Sequence, residues 1–277
     1  MTNIRILRKT EQVICRLLRS VRKSILTSEL AGAEFVPFIQ PVYQSGELVG
    51  CEVLMRVKKN GVLHSPESYL SVIESGEVCN DVTCELLEKV KAHFTPHVES
   101  LPKGFYFSFN ICAQQLNSSR MVKAVKEFNI HFGKDIMVIL EIVERGTLEF
   151  DDFALDAMQE LVASGVGFSI DDYGSGGSCL KYIEHAGFST IKIDKCLTMV
   201  CNHKLIYSSV IDAIMSFSEK LNLHIIAEGV ETNEQFKLLE MKGIDTFQGY
   251  LFSRPVSMRE FCAHILLLHS CEKIEHH

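Results

Sequence analysis

The chain predicts an α/β fold, a TIM-like (βα)8 barrel with its working site at the carboxyl ends of the strands, and three observations carry that expectation. Short apolar runs recur along most of the sequence and each delivers a polar residue. Amphipathic segments of helical period separate the runs. From Glu52 to Gln248 there are six steps over 196 residues, roughly 33 per step, and that is the length of one strand with its crossover helix.

In chain order, Phe35–Val42 is the first run, and the second ends at Cys51 and delivers Glu52. Phe105–Phe109 delivers Asn110, Met137–Leu140 delivers Glu141, and Gly167–Ile170 delivers Asp171 and Asp172. Thr190-Ile191 leads to Lys192, Leu223–Ala227 to Glu228, and Thr246-Phe247 to Gln248. A β-rich run this short reads as a strand buried on both faces, so the polar residue that ends it emerges at a rim of the sheet. Between the runs, residues 80–94 place Val82, Leu86, Leu87, Val90 and Phe94 on one helical face. Residues 153–163 do the same with Phe153, Leu155, Met158, Leu161 and Val162, and similar helices are expected over 204–221, 232–242 and 257–269. Gly165, Gly187 and Gly243 follow helical stretches, where a left-handed cap is expected. An open doubly wound sheet is the runner-up, but it would scatter the polar residues along an edge, and no glycine-rich nucleotide loop supports it.

At 277 residues, 47% hydrophobic and 23% charged, the chain can bury the core of one large domain. We expect that domain over 29–270, after a basic segment over 1–28 and before a tail over 271–277 whose final histidines read as a purification-tag remnant. No window reaches the roughly 18 to 20 apolar residues that span a bilayer, and the first residues lack a signal-peptide core, so the expected location is the cytoplasm. Ten cysteines are scattered without a Cys-x-x-Cys pair, as expected of reduced, buried apolar thiols rather than disulfides, zinc or redox chemistry.

Net charge is −7, unevenly spread: Arg5, Arg8, Lys9, Arg16, Arg19, Arg22 and Lys23 face only Glu11 over residues 1–27, leaving +6 there and −13 in the remainder. So acidic a body does not suit a general nucleic-acid binder, whose affinity comes from cations on phosphates. Val13, Ile14, Leu17, Leu18, Val21, Ile25 and Leu26 give the basic segment an apolar helical face. Such a helix suits packing on the barrel, contact with a membrane surface, or contact with an upstream sensor.

At the shared rim, five acidic side chains with two amides and a lysine would repel ruinously unless they faced cations and a polar substrate. Asp171-Asp172, followed by Tyr173-Gly174-Ser175-Gly176-Gly177, is the sharpest local signal. A divalent cation removes the cost of adjacent carboxylates by taking oxygens from both. Glu52, Asn110 and Glu141 offer further oxygens and no histidine stands at these positions, a donor set for Mg²⁺ or Mn²⁺ rather than zinc.

The segments Gln40-Pro41-Val42, Glu52-Val53-Leu54-Met55-Arg56, Asn110, Glu141-Ile142-Val143-Glu144, Asp171-Asp172-Tyr173-Gly174-Ser175-Gly176, Lys192-Ile193-Asp194-Lys195, Glu228-Gly229-Val230-Glu231 and Gln248-Gly249-Tyr250 resemble, in order, the motifs of bacterial EAL-domain phosphodiesterases. The resemblance runs from about residue 30 to about residue 265. It implies hydrolysis of cyclic di-GMP to linear pGpG with two Mg²⁺ or Mn²⁺ ions, a bacterial source and a homodimer. By the same resemblance Glu52, Asn110, Glu141 and Asp171 ligate one metal, and Asp171 with Asp172 reaches the second. Lys192 holds the attacking water or the phosphate, Glu228 acts through the metal and water network as general base, and Gln248 stands beside it. Gln40 and Arg56 contact substrate, and Glu144 anchors the loop after Asp172. Val53 departs from the alanine of the family signature, Val143 from a usual threonine and Gly177 from a common aromatic. The segment after Arg56 lacks the tryptophan and His-Pro pair often found there. Because no matched ligand is lost, an active enzyme is expected over a non-catalytic relative that binds cyclic di-GMP or a protein partner, and over a metal-dependent barrel acting on another substrate.

Overall fold

The computed structural model describes residues 30–74, 78–143, 150–173, 183 and 187–265. The expected basic helix over 1–28, Glu144, the glycines after Tyr173 and the tail beyond 265 lie outside the described residues.

Eight strands close into a barrel: β1 (Glu34–Gln44), β2 (Glu47–Lys59), β4 (Phe105–Ile111), β5 (Ile136–Val143), β6 (Gly167–Tyr173), β7 (Phe188–Ile193), β10 (His224–Ala227) and β11 (Thr246–Phe247). Short additions are β3 (Val62–His64), the hairpin of β8 (Val200–Cys201) with β9 (Lys204–Leu205), and β12 (Val256–Ser257). Six pairings run parallel around the circle from β2 to β11, as the rim expectation requires. The seventh and eighth do not, because β1 is antiparallel to both β2 and β11. The first unit is therefore a hairpin and not a strand with a crossover helix. Its turn explains why: Ser45 and Gly46 carry φ of 50° and 87°, the paired left-handed residues of a two-residue turn that matches strand twist. Asn60-Gly61, with φ of 52° and 78°, turns β2 into β3 the same way.

Helices cover the outside: α1 (Leu70–Ile73), α2 (Val78–Phe94), α3 (Ser119–Phe132), α4 (Asp152–Ala163), α5 (Ser208–Leu221) and α6 (Asn233–Glu240), with residues 258–265 helical as well. Local signals set their ends. Asp151 caps α4 by accepting from the Ala154 amide at 2.9 Å, and Thr232 with Gln235 forms a reciprocal capping box on α6. Gly165, Gly187 and Gly243 all hold positive φ. Two residues assigned to the inner face of α4 face outward instead: Phe153 is 78% exposed and Val162 is 40% exposed. Alanines at 154 and 157 take the core positions beside Met158 and Leu161, since a helix packed close against a sheet leaves room only for small side chains there.

The core between barrel and helices is rich in phenylalanine. Phe94 packs on Phe107 at 4.9 Å between centroids, Phe128 on Phe132 at 5.0 Å, and Phe94 on Phe261 of the final helix at 5.9 Å. Each such ring, fully buried, contributes about 1.5 to 3 kcal/mol through apolar burial. Inside the barrel the layers differ. Val42, Tyr106 and Ile226 form a small apolar cluster of their own, and Gly50 is required beside it because a Cβ there would come within 2.4 Å of the Tyr106 ring. Two residues further along each strand, the alternation of the pleat puts Glu52, Ser108 and Glu228 in the next layer up.

Candidate active site

Lys192 organises the site. Its ammonium lies 2.7 Å from Glu141 Oε2, 2.5 Å from Glu228 Oε1, and 3.3 Å from both Glu52 Oε2 and Asp171 Oδ1. Lys192 on β7 and its four partners come from five different strands or strand ends, the partners from β2, β5, β6 and the residue after β10, so closing the barrel is what brings them together. The Lys192 side chain is 1% exposed, with Glu141 at 3% and Glu52 at 8%, whereas Asp171 and Glu228 rise to 11% and 17%. Two storeys result. Lys192 and Glu141 form a sealed floor, and Asp171, Asp172 and Glu228 line the cavity above it together with Glu52, Asn110, Gln248, Gln40 and Arg56.

Glu52 is held most completely. Asn110 Nδ2 donates to its Oε1 at 2.6 Å and Gln248 Nε2 to its Oε2 at 2.7 Å. It is not a strand terminus, since β2 continues to Lys59; it stands near the end of the parallel ladder with β4, which stops at Val53. Beyond that point β2 rises out of the barrel on β1 and β3. Gln40 enters from the reversed strand, directly opposite Glu52 in register, and donates to the Ser253 carbonyl at 3.3 Å. Arg56 donates to the carbonyl of Met55 at 2.9 Å and stacks over Phe38 at 5.5 Å.

Adjacent residues of a regular strand point to opposite faces, yet Asp171 and Asp172 both line the cavity. The backbone makes this possible. Asp172 sits at φ 54°, and the β6–β7 register shifts between Ile170 and Tyr173. A left-handed aspartate at such a bulge re-aims its side chain at modest cost. Carboxylate oxygens of Asp171, Asp172 and Glu228 then lie within 4.8 Å of one another.

Burial sets the electrostatics, and partners divide it. Burial would lower the Lys192 ammonium, but Asp171, Glu141, Glu228 and Glu52 hold it well above the ordinary lysine range. Burial pushes Glu141 well up, since Lys192 is opposed by Glu52, Asp171 and Glu228. Glu52 shares the same ammonium and shifts the other way: burial is outweighed by Lys192 and by the two amide donors that Glu141 lacks. Burial raises Glu228 to about 8, and burial with the nearby Asp171 and Asp194 raises Asp172 to about 6.

The residues fit a divalent cation. Asp171 Oδ1 faces Lys192 without hydrogen-bond geometry, and it and Gln248 Oε1 are buried with no hydrogen-bond partner among the described residues. Orphaned oxygens beside three convergent carboxylates are the hard donor set of Mg²⁺ or Mn²⁺. Asn110 spends its nitrogen on Glu52 and retains Oδ1 for an ion. Sequence reasoning assigned no role to Asp194, Lys195, Glu231 or Tyr250, all of which line the same cavity of about 600 Å³. Asp194 had a signal: it stands two positions after Lys192, and it follows the last residue of β7.

Comparisons with known proteins agree with this geometry. The chain is 31% identical over 246 residues to the cyclic di-GMP phosphodiesterase PdeL of Escherichia coli K12, covering 87% of this chain and 68% of that protein. It is 31% identical to the probable cyclic di-GMP phosphodiesterase PdeG of the same organism, covering 85% of this chain but only 47% of the relative. Among solved structures, the EAL enzyme Bd1971 in its cAMP and cyclic-di-GMP bound form superposes with a TM-score of 0.74 at 26% identity, over 94% of this chain and 73% of that one. The phosphodiesterase PaMucR in complex with c-di-GMP gives 0.67 at 27% identity, over 82% and 99%. The EAL domain family matches residues 23–255, so the eight-stranded barrel with its lysine-centred carboxylates belongs to the EAL domain family.

Proposed function

We propose that this chain hydrolyses cyclic di-GMP to linear pGpG with two Mg²⁺ or Mn²⁺ ions. The single observation that carries the reading is the cavity of about 600 Å³ whose wall brings Asp171, Asp172 and Glu228 together above the Lys192 floor. In the balanced reaction one water is added: its oxygen bonds phosphorus, a phosphodiester P–O bond breaks, and a proton returns to the departing ribose oxygen. Bound at these carboxylates, the ions would neutralise phosphate charge and make the attacking water more acidic. Glu52, Asn110, Glu141 and Asp171 are the ligands assigned to the first ion, and Asp171 with Asp172 to the second.

Lys192 touches the cavity only through its carboxylates. Its part is to keep four acids at fixed positions, and any contact with water or phosphate needs an ion to displace one of them. Glu228, raised to about 8 and so close to neutral pH, is the carboxylate placed to take a proton from the attacking water when it is ionised. Gln248 fixes Glu52 with its nitrogen and turns its free oxygen to the same space. Arg56 and Gln40 stand on the wall built by β1 and β2, where a guanidinium fork can grip a phosphate.

No described helix is long and apolar enough to cross a membrane. We place the enzyme in the cytoplasm as a homodimer, with the basic segment over 1–28 as the contact to a membrane surface or sensor.

The test is incubation of the full chain with cyclic di-GMP and Mg²⁺ or Mn²⁺, followed by chromatography. Appearance of pGpG that stops with a chelator supports the reading. Tight binding of cyclic di-GMP without turnover would establish the non-catalytic alternative, and hydrolysis that survives exhaustive chelation would overturn the metal-dependent mechanism.

A further inference from the structure

At the far end of the barrel a second group of metal-binding side chains meets. His93 lies in the last turn of α2, His97 in the 3₁₀ turn Thr95–Ser100 that follows, and Cys262 comes from the helix over 258–265. One ligand atom from each lies within 4.8 Å of the others. The contact between Cys262 Sγ and His93 Nε2 is 3.6 Å, and the two imidazole centroids are 5.8 Å apart. Zinc bonds of about 2.0 to 2.1 Å to nitrogen and about 2.3 Å to sulfur set neighbouring tetrahedral donors roughly 3.4 to 3.8 Å apart. The sulfur and nitrogen are thus already at the spacing one ion demands.

The surroundings point the same way. The His93 ring also lies against the backbone of Met258, where an outer contact can orient an imidazole toward a metal. Beneath the group lie Phe94, edge-on to His93 at 5.2 Å, and Phe261, which packs on Phe94 and Phe105. Phe105 opens β4 and Asn110 lies five residues on, about 17 Å at roughly 3.3 Å per residue. The group is therefore separate from the carboxylates, and its donors are of a different chemical kind: sulfur and imidazole against oxygen.

We propose that His93, His97 and Cys262 form a Zn²⁺-class site that ties the helix over 258–265 to the end of α2. Sulfur and imidazole select zinc or cobalt over magnesium and calcium. The ion joins ligands separated by 165 or more positions in the chain, and its binding stabilises the folded state by mass action. The fourth position is left to water or another donor. This placement departs from the expectation that every cysteine is an inert apolar thiol.

The test uses the reduced, metal-free full chain titrated with Co²⁺, which reports its ligands through absorption. One equivalent is expected to give thiolate-to-cobalt charge transfer in the near ultraviolet and the visible bands of tetrahedral coordination. Oxygen ligands at the catalytic carboxylates cannot produce the charge-transfer band. Cys262→Ser is expected to abolish it and His97→Ala to weaken binding at least tenfold. Because His97 is only partly buried, that variant keeps the test valid if Cys262→Ser fails to fold. Phosphodiester hydrolysis with Mg²⁺ is expected to be unchanged in His97→Ala. With Mg²⁺ already saturating the catalytic carboxylates, Zn²⁺ is expected to raise the melting temperature of the parent by more than that of His97→Ala. A full-strength thiolate band in either folded variant would overturn the site, and a Zn²⁺ shift in melting as large in His97→Ala as in the parent would overturn the tie between helices.

Discussion

The two storeys of the catalytic end contain the same chemistry under different constraint. On the floor, Glu141 meets Lys192 in nearly complete exclusion of water. On the wall, Asp171 and Glu228 reach the same ammonium yet keep a face on the cavity, beside Asp172. A buried charge that loses its partner has nowhere to turn, whereas a half-open one is rescued by water or an ion. Floor residues should therefore govern folding and activity together, and wall residues activity alone.

The largest effect is expected at Lys192. Lys192→Met leaves four carboxylates converging without a cation, and breaking such a buried group costs about 3 to 5 kcal/mol. Urea unfolding of the metal-free protein should show that loss along with absent hydrolysis. A Lys192→Met protein as stable as the parent would erase the distinction between floor and wall.

Asp171→Asn is next and tests the other storey. Turnover should fall about a thousandfold or more, equivalent to about 4 kcal/mol of barrier. Stability without metal should stay within about 1 kcal/mol, because lost attraction to Lys192 is offset by relief from neighbouring carboxylates. Comparable losses in stability and rate would move Asp171 to the floor.

Proton linkage sharpens the same contrast. Glu228 at about 8 and Asp172 at about 6 lie above the roughly 4 expected of unfolded carboxylates. The folded, metal-free protein thus holds more protons than the unfolded chain in this window. The stability these two groups contribute is complete below about pH 4 and is lost as pH rises toward 8. Melting temperature measured with chelator should fall from about pH 5 to about pH 8, and Mg²⁺ should flatten the slope by replacing the protons. A rising curve with chelator would contradict the assignment.

Smaller effects belong to groups outside both storeys. Arg56→Ala should raise KM for cyclic di-GMP by roughly tenfold to a hundredfold, the worth of one charged hydrogen bond, with kcat much less changed. Least of all, Asp212→Ala breaks a half-exposed bond of 2.7 Å from α5 to Lys242 in the turn after α6 and should cost under about 0.5 kcal/mol. Its distance matches that of Lys192 to Glu141, so only burial separates the two outcomes.

Much of this site was legible because a strand buried on both faces betrays its one polar residue. Glu52, Asn110, Glu141, Asp171, Asp172, Lys192, Glu228 and Gln248 all stand where a run of apolar side chains reaches the catalytic end. The direction of β1 was not read, although Ser45-Gly46 and Asn60-Gly61 are hairpin signals written in the sequence. Spacing alone treats every strand as a repeat of the last, and only turn chemistry reveals the reversal. Burial of Lys192 was hidden for a deeper reason: its neighbours come from strands up to 140 positions away, and no local pattern reports a distance closed by a barrel. His93, His97 and Cys262 escaped in the same way, since a four-residue histidine spacing at a helix end carries no message without the sulfur from a distant helix.

The reversal of β1 has one more outcome, concerning where the chain enters the barrel. Glu34 pairs with Lys58, at the end of β2 that extends past the catalytic rim. In a barrel of eight parallel strands the chain would enter from the opposite pole. Here it enters beside Arg56, which faces Val36 in register, and passes Gln40 on its way down. A pull or twist applied ahead of residue 34 acts first on the wall that carries Arg56 and Gln40, before it reaches the carboxylates around Lys192.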